Sequence, residues 1–281
     1  VFSIAGESGC GKTTTGRLVA RLIEPTDGKL FFNQEEITSL KGEELRKIRR
    51  HLQIIFQNPY ASLNPRMKIG DAVGNPIEIH QAAFDDEKKR LVMEMLEKVG
   101  LQPAEKFYDS YPHELSGGQR QRVAIARAMI LNPDFIVADE PISMIDVSLR
   151  AKILGLMNQL KDELNLTYLF ITHDLAVAKY ISDRIAIMYL GKIVEMGLKE
   201  AIFSQPRHPY TIALLSAIPI PDPRVERKRV ELKGEVPSPI NPPSGCRFHP
   251  RCPMIMDICR KEEPKLLEVE NAHVVACHLF D

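Results

Sequence analysis

Residues 6–13 read Gly6-Glu7-Ser8-Gly9-Cys10-Gly11-Lys12-Thr13, directly after the apolar run Val1–Ala5. The spacing is G-x-x-x-x-G-K-[ST], and an apolar strand before it with a helical pattern after it is the context a phosphate-binding loop requires. Gly6, Gly9 and Gly11 let the backbone turn tightly and aim successive N–H groups into a concave nest for phosphate oxygens. Lys12 places a point charge at β- and γ-phosphates, and the Thr13 hydroxyl can ligate Mg²⁺. The helix beginning there offers its positive end to the same anion.

A second constellation lies more than a hundred residues on. Leu115-Ser116-Gly117-Gly118-Gln119 brings two glycines to the start of a helix, a geometry that suits contact with a phosphate. It precedes Phe135-Ile136-Val137-Ala138-Asp139-Glu140, a buried-strand pattern ending in two acids. One acid there can hold Mg²⁺ and the next can orient an attacking water. A carboxylate is more often a helix cap or a solvated charge. Its place at the carboxyl end of a strand, where open α/β sheets bind ligands, favours a site.

The elements that must position these residues alternate between strand and helix over the first two-thirds of the chain, which predicts an α/β fold with a parallel sheet. Helical patterns cover Thr13–Ile23, Asp85–Val99 (Val92, Met95, Leu96 and Val99 on one side, Gly100 as the stop), the stretch capped by Ser116, and Leu149–Leu164. Strands are expected over Lys29–Phe32, Leu52–Phe56, Phe135–Ala138 and Tyr168–Thr172, and Arg184–Met188 with Lys192–Glu195 reads as a hairpin turning at Gly191. After about Gln205 the composition shifts. Pro206–Pro243 is rich in proline and charge, with one short apolar helical patch at Thr211–Ile218, and is expected to wrap over a surface rather than form an independent core.

In this order the motifs resemble the nucleotide-binding subunit of ATP-binding cassette (ABC) transporters, and the resemblance runs the whole length of the chain. It implies a P-loop NTPase fold: a RecA-like core, a helical signature subdomain at about 70–130, and a Cys-containing C-terminal extension. The nucleotide-binding domain would occupy 1–205 and the extension 206–281. Thr14 joins Lys12 and Thr13 in the loop by that resemblance. Gln57, in Ile55-Phe56-Gln57-Asn58-Pro59, matches the glutamine that senses Mg²⁺ and the attacking water. Asp139 matches the Mg²⁺-holding aspartate, Glu140 the catalytic carboxylate, Asp146 the aspartate following the acidic strand, and His173 the switch histidine at the γ-phosphate. Ser116, Gly117, Gly118 and Gln119 would complete the ATP site of a partner cassette. ATP and Mg²⁺ are the implied ligands, and hydrolysis to ADP and phosphate the implied reaction.

Two departures stand out. Ser143-Met144-Ile145-Asp146 replaces the usual Ser-Ala-Leu-Asp with bulkier apolar residues. The sequence opens at Val1 inside a strand, so the aromatic residue that stacks on adenine in the family is expected upstream of it.

Within the family, Arg50–Met67, His208-Pro209-Tyr210-Thr211, Pro221-Asp222-Pro223 and Gly245-Cys246-Arg247-Phe248-His249-Pro250-Arg251-Cys252-Pro253 are similar to the F-type ATPase of oligopeptide and dipeptide importers. That resemblance implies a heterodimer with a D-type ATPase, two transmembrane permease subunits and, indirectly, an extracytoplasmic binding protein, with the chain peripheral at the cytoplasmic face of the cell membrane. Related ATPases serve nickel, glutathione and oligosaccharide importers, so those cargoes stay open. A cassette ATPase acting on nucleic acid is disfavoured: Lys and Arg total 37 against 37 Asp and Glu, and no basic arm or coiled-coil insertion is seen. No nucleic-acid partner is expected.

Four cysteines close the chain, Cys246, Cys252, Cys259 and Cys277, in the pattern C-x₅-C-x₆-C-x₁₇-C. In a cytosolic setting a [4Fe–4S] cluster, zinc and free thiols are the open readings. The lack of a C-x₂-C knuckle points to the cluster, with Zn²⁺ as its alternative. His249, His273 and His278 are expected to hydrogen-bond or face solvent rather than ligate, and Cys10 is expected to be incidental.

Overall fold

The computed structural model describes residues 1–218, 230–232, 234–270 and 272–281, and Pro221-Asp222-Pro223 lies outside them. The chain divides into two compact units, Val1–Thr15 with Phe170–Asp281, and Gly16–Leu169. The first unit starts with β1 (Phe2–Ala5), followed by the phosphate loop and α1 (Lys12–Val19), along which the chain enters the second unit.

There, β2 (Phe31–Phe32) and β3 (Glu35–Glu36) form a small antiparallel ribbon. The strand expected over Lys29–Phe32 shrinks to two residues because the chain turns back at Asn33 and Gln34, both at positive φ. Then come α2 (Gly42–His51), β4 (Leu52–Ile55), α3 (Pro59–Ser62), α4 (Ile69–Ile79), α5 (Asp85–Lys98), α6 (Ala104–Tyr108), α7 (Gly117–Met129), β5 (Phe135–Asp139), α8 (Val147–Leu164) and β6 (Thr167–Thr172). Strands β4 and β5 run parallel, with Leu52 opposite Phe135. Helices α4, α5, α6 and α7 pack on one another, burying Val73, Val92, Leu96 and Ile125 completely. α5 carries Asp85, Asp86 and Glu87 in its first turn and Lys98 in its last, complementing the helix dipole at both ends.

Within β6, at Phe170, the chain returns to the first unit. α9 (Leu175–Ile181), β7 (Arg184–Tyr189), β8 (Lys192–Leu198), α10 (Lys199–Ser204), α11 (Pro209–Ser216), β9 (Leu267–Glu270) and β10 (His273–Val275) follow. β1 lies parallel to β7, β7 turns into antiparallel β8 at Leu190–Gly191, and the sheet continues through β10 to β9. Alternate apolar residues of β7 and β8 bury Ile185, Ile187, Tyr189 and Val194 in one cluster with Ala5, Tyr210, Leu215 and Phe248.

After Gln205 the chain builds no core of its own but adds residues to that shared cluster. α11 buries Pro209, Tyr210, Thr211, Ala213 and Leu215, and β10 takes an edge position that would otherwise expose β8. The sequence window looked polar because its apolar residues are few. Tyr210, Ala213 and Leu215 are nonetheless inside, while Val236 and Ile240 stay exposed. Glu195, fully buried on β8, ties the region together: its carboxylate accepts from the Arg207 and His208 amides (2.7 and 3.0 Å) and lies 2.7 Å from His273 Nε2. A buried carboxylate needs such partners to offset its desolvation.

Candidate active site

The phosphate loop is shaped by two glycines in particular. A Cβ on Gly6 would collide with the Met188 carbonyl on β7, and Gly11 sits at φ 104°, a backbone that side chains strain to adopt. Lys12 is 4 % exposed and curls over its own loop, donating to the carbonyls of Gly6 (2.8 Å) and Glu7 (3.0 Å). Its charge is thus held inside the nest where phosphate oxygens would sit. Cys10, expected to be incidental, sits inside the loop. It is buried, its sulfur lies 3.8 Å from Lys12 Nζ, and its carbonyl accepts from the Gly191 amide (2.8 Å). Burial pushes the Cys10 thiol up, against the pull of Lys12, so it stays neutral beside the lysine. Thr13 and exposed Thr14 follow in the first turn of α1.

His173 belongs to the same unit, exposed just past the end of β6. Its neighbour Asp174 fixes the corner: the carboxylate caps α9 by accepting from the Ala176 and Val177 amides (2.8 and 3.3 Å), while the Asp174 amide donates to Thr172 Oγ1 (3.0 Å).

In the second unit, Gln57 follows β4, and Asp139 ends β5. Because these strands are paired in parallel, their carboxyl ends emerge side by side. Gln57 Nε2 donates to Glu140 Oε2 at 2.9 Å, joining the two predicted residues directly. Asp139 is 2 % exposed and shares with Gln57 a cavity of about 580 Å³ whose lining includes the guanidinium-bearing Arg17 and Arg127. Burial lowers the Arg127 pKa from its ordinary value. Glu140 has φ 45°, in the left-handed region that a non-glycine residue enters at a cost of about 1–3 kcal/mol. Its carbonyl is held by the Ser143 amide (3.1 Å) and hydroxyl (3.0 Å). No sequence pattern announced this strain.

Ser116 is exposed and opens α7 through a capping box: its hydroxyl accepts from the Gln119 amide (3.3 Å), and Gln119 Oε1 accepts from the Ser116 amide (2.8 Å). A Cβ on Gly118 would touch Leu149 at 3.0 Å, so glycine there permits close packing of α7 on the following helix. The lining of the Gln57–Asp139 cavity includes none of residues 116–119. Asp146 stands exposed at the start of α8, flanked by Met144 and Val147, which are 59 % and 76 % exposed.

The tail cysteines are all free thiols, with Cys259 and Cys277 buried and Cys246 and Cys252 half-buried. Cys246 lies within electrostatic reach of Cys259, Cys277 and Cys252. Burial, with smaller contributions from the neighbouring thiols, pushes the Cys246 thiol up to about 11, and burial likewise raises Cys252 and Cys277. Among the described residues, however, no group of three or more His, Cys, Asp or Glu side chains is arranged to hold a metal ion. The assembled four-sulfur site expected from the spacing is therefore not found. The three histidines hydrogen-bond instead: His249 to the Cys246 carbonyl, His273 to Glu195, and His278 to Asp281 and the Glu262 carbonyl.

A glycine nest with a buried lysine, and a buried strand-end aspartate beside a glutamine–glutamate pair, define a nucleoside-triphosphate-hydrolysing fold. Comparison with known proteins narrows this. Residues 1–143 match a family model described as ABC transporter, and 194–259 one described as oligopeptide/dipeptide transporter, C-terminal region. The chain is 50 % identical over 282 residues to the oligopeptide transport ATP-binding protein AppF of Bacillus subtilis, covering 99 % of this chain and 85 % of that one. It is also 50 % identical to the dipeptide transport ATP-binding protein DppF of Haemophilus influenzae, covering 100 % and 85 %. Among solved structures it is similar to the dimeric cassette MJ0796 bound to ADP and Pi, at 33 % identity and TM-score 0.64, over 70 % of this chain and 84 % of that one. The chain belongs to the ATP-binding proteins of ABC transporters. As such it is an ATPase, with ATP as its substrate.

Proposed function

We propose that this chain is the energy-coupling ATPase of a peptide importer. The observation that supports the chemistry is the Gln57–Glu140 hydrogen bond beside buried Asp139. What supports the cargo class is the match of 194–259 to the C-terminal region of oligopeptide and dipeptide transporters, with relatives of that name matching nearly the whole chain.

In this reading Gly6, Gly9, Gly11, Lys12, Thr13 and Thr14 receive the β- and γ-phosphates, Lys12 leaving the Gly6 and Glu7 carbonyls to do so. Thr13, Gln57 and Asp139 offer hydroxyl, amide and carboxylate oxygens, the donors Mg²⁺ takes. Bound there, the ion offsets charge on the phosphate oxygens. Glu140 orients the attacking water and accepts its proton, Gln57 keeps the carboxylate aimed, and His173 contacts the γ-phosphate. Phosphoryl transfer needs little more than this positioning and charge stabilisation. Ser116, Gly117, Gly118, Gln119 and Asp146 serve a second cassette, which fits the exposure of Ser116 and Asp146 and the place of all five outside the Gln57–Asp139 cavity.

That second cassette is a D-type subunit, and the pair docks on two permease subunits at the cytoplasmic face of the membrane, fed by a binding protein. The functional division falls near 205, with 1–205 as cassette and 206–281 as extension. We further read Cys246, Cys252, Cys259 and Cys277 as ligands of a [4Fe–4S] cluster, or else of zinc, supported by their number, their free state and their mutual reach. Metal binding would displace the thiol protons.

Uptake of a labelled dipeptide by cells carrying or lacking the gene tests the cargo. Loss of dipeptide uptake with nickel uptake intact supports the reading, and the reverse result overturns it. Iron, sulfide and zinc analysis of anaerobically purified protein tests the tail, where sub-stoichiometric values for all three would return the cysteines to free thiols.

A further inference from the structure

Glu7 occupies a position that the phosphate-loop pattern leaves open, so the motif does not ask for a carboxylate there. A negative charge beside an anion nest opposes phosphate binding unless it is neutralised at close range. The residue that neutralises it comes from the far end of the chain. Arg251, 8 % exposed, reaches the Glu7 carboxylate with both terminal nitrogens, at 2.7 and 3.2 Å. This two-pronged fit is one a lysine cannot reproduce.

The other polar groups of Glu7 are engaged as well. Its amide donates to the Tyr210 hydroxyl at 3.0 Å, and its carbonyl accepts from Lys12 at 3.0 Å. Tyr210 is fully buried and is itself fixed by the rings of Tyr189 and Phe248, with centroids 4.7 and 5.3 Å away. Phe248 precedes Arg251 by one turn, and the Arg251 guanidinium lies 5.9 Å from the Tyr189 ring. Arg247, from the same stretch, donates to the Leu190 carbonyl, next to the Gly191 amide that holds Cys10. The region matched as a transporter C-terminal region therefore grips the phosphate loop through one residue, and that residue also sets where Lys12 rests.

We propose that Arg251 and Tyr210 are positioning residues for nucleotide binding: acting through Glu7, they cancel the charge that would repel phosphate and hold the loop in its receptive shape. The inference rests on the reading of residues 6–13 as the ATP-phosphate site. Arg251 acts on Glu7, and Glu7 acts on Lys12 and the nest.

The experiment measures binding of a fluorescent ATP analogue with Mg²⁺ to the full chain, alongside its melting temperature. The variants are Arg251→Ala, Arg251→Lys, Tyr210→Phe, Glu7→Gln, Lys12→Ala and the double variant Glu7→Gln/Arg251→Ala. Arg251→Ala is expected to weaken binding on the order of tenfold, the size of effect a displaced positioning group produces. Arg251→Lys and Tyr210→Phe weaken it by less. The double variant binds like Glu7→Gln alone, because the harm done by Arg251→Ala is the unpaired carboxylate. A merely structural anchor would lower the melting temperature without this rescue. The proposal is overturned if Arg251→Ala and Arg251→Lys bind as the parent does while Lys12→Ala loses binding, or if the Arg251→Ala loss persists in full in the double variant. Undiminished binding by Lys12→Ala would instead overturn the phosphate-site reading itself. Should Arg251→Ala fail to fold, Arg251→Lys and Glu7→Gln decide the matter, since Glu7→Gln leaves the tail intact.

Discussion

Lys12 and Glu140 are held in opposite ways. Lys12 lies over the carbonyls of its own loop, and that loop is gripped by Tyr210 and Arg251 from much later in the chain. Glu140 is held by near neighbours in sequence, the Ser143 amide and hydroxyl, and by Gln57 from the adjacent strand end, at the cost of a strained backbone. The first arrangement fixes a charge by long-range packing. The second aims a carboxylate by local strain and one hydrogen bond.

The sharpest way to break the comparison is Glu140→Gln. The amide can keep the hydrogen bond to Gln57 but cannot accept a proton, so turnover should fall about a thousandfold, within the range for losing a general base. Nucleotide affinity should stay close to that of the parent. Hydrolysis at the parent rate by this variant would remove Glu140 from the chemistry.

On the long-range side, His208 offers a pH test. It caps α11 by accepting the Tyr210 amide at 3.1 Å, and burial lowers its pKa from 6.5 to about 4. A histidine depressed in the folded state contributes stability that is full above its unfolded pKa and is lost as pH falls from about 6.5 towards about 4. The shift corresponds to about 3 kcal/mol. Urea unfolding at pH 7 and pH 4.5 should show much of this loss in the parent, and His208→Asn, which keeps a capping acceptor without titrating, should flatten the difference. Equal pH dependence in both proteins would place the acid sensitivity elsewhere.

Lys12→Ala removes charge-assisted hydrogen bonds to phosphate and should weaken nucleotide binding by about 2 kcal/mol, or roughly thirtyfold. Titration with a fluorescent nucleotide reads this directly. Smallest of all, Ser116→Ala removes the cap of α7 and should lower unfolding stability by about 1 kcal/mol. If it also depresses the hydrolysis of paired cassettes beyond what that stability loss explains, Ser116 contacts nucleotide as well as its own helix.

The motif residues were legible because their chemistry is local. A nest of amides needs glycines at fixed offsets, and a strand-end acid pair needs an apolar run before it, so Gly6–Thr13 and Phe135–Glu140 declared themselves. The start of α7 was legible for the same reason: Ser116 acts on the nearest backbone amides. What could not be read depends on partners far away in sequence. Glu7 sits at an open motif position, and nothing near it announces Arg251. After Gln205 the sequence marked the helical patch around Leu215 but not the packing of Tyr210 and Phe248 on Tyr189. Regular cysteine spacing suggested an assembled ligand set, yet spacing alone does not fix sulfur geometry or protonation. The positive φ of Glu140 follows from the turn that Ser143 closes, which a strand pattern does not encode.

The contact between Glu7 and Arg251 joins residues 244 positions apart. During synthesis the loop leaves the ribosome long before its clasp exists, and β1 must likewise wait for β7 to become its parallel neighbour. Contacts of such separation form late, because a long loop must close before they can reward it. A nascent chain therefore carries the complete motif without the geometry that serves it. The clasp on Glu7 therefore cannot close before translation has passed Arg251.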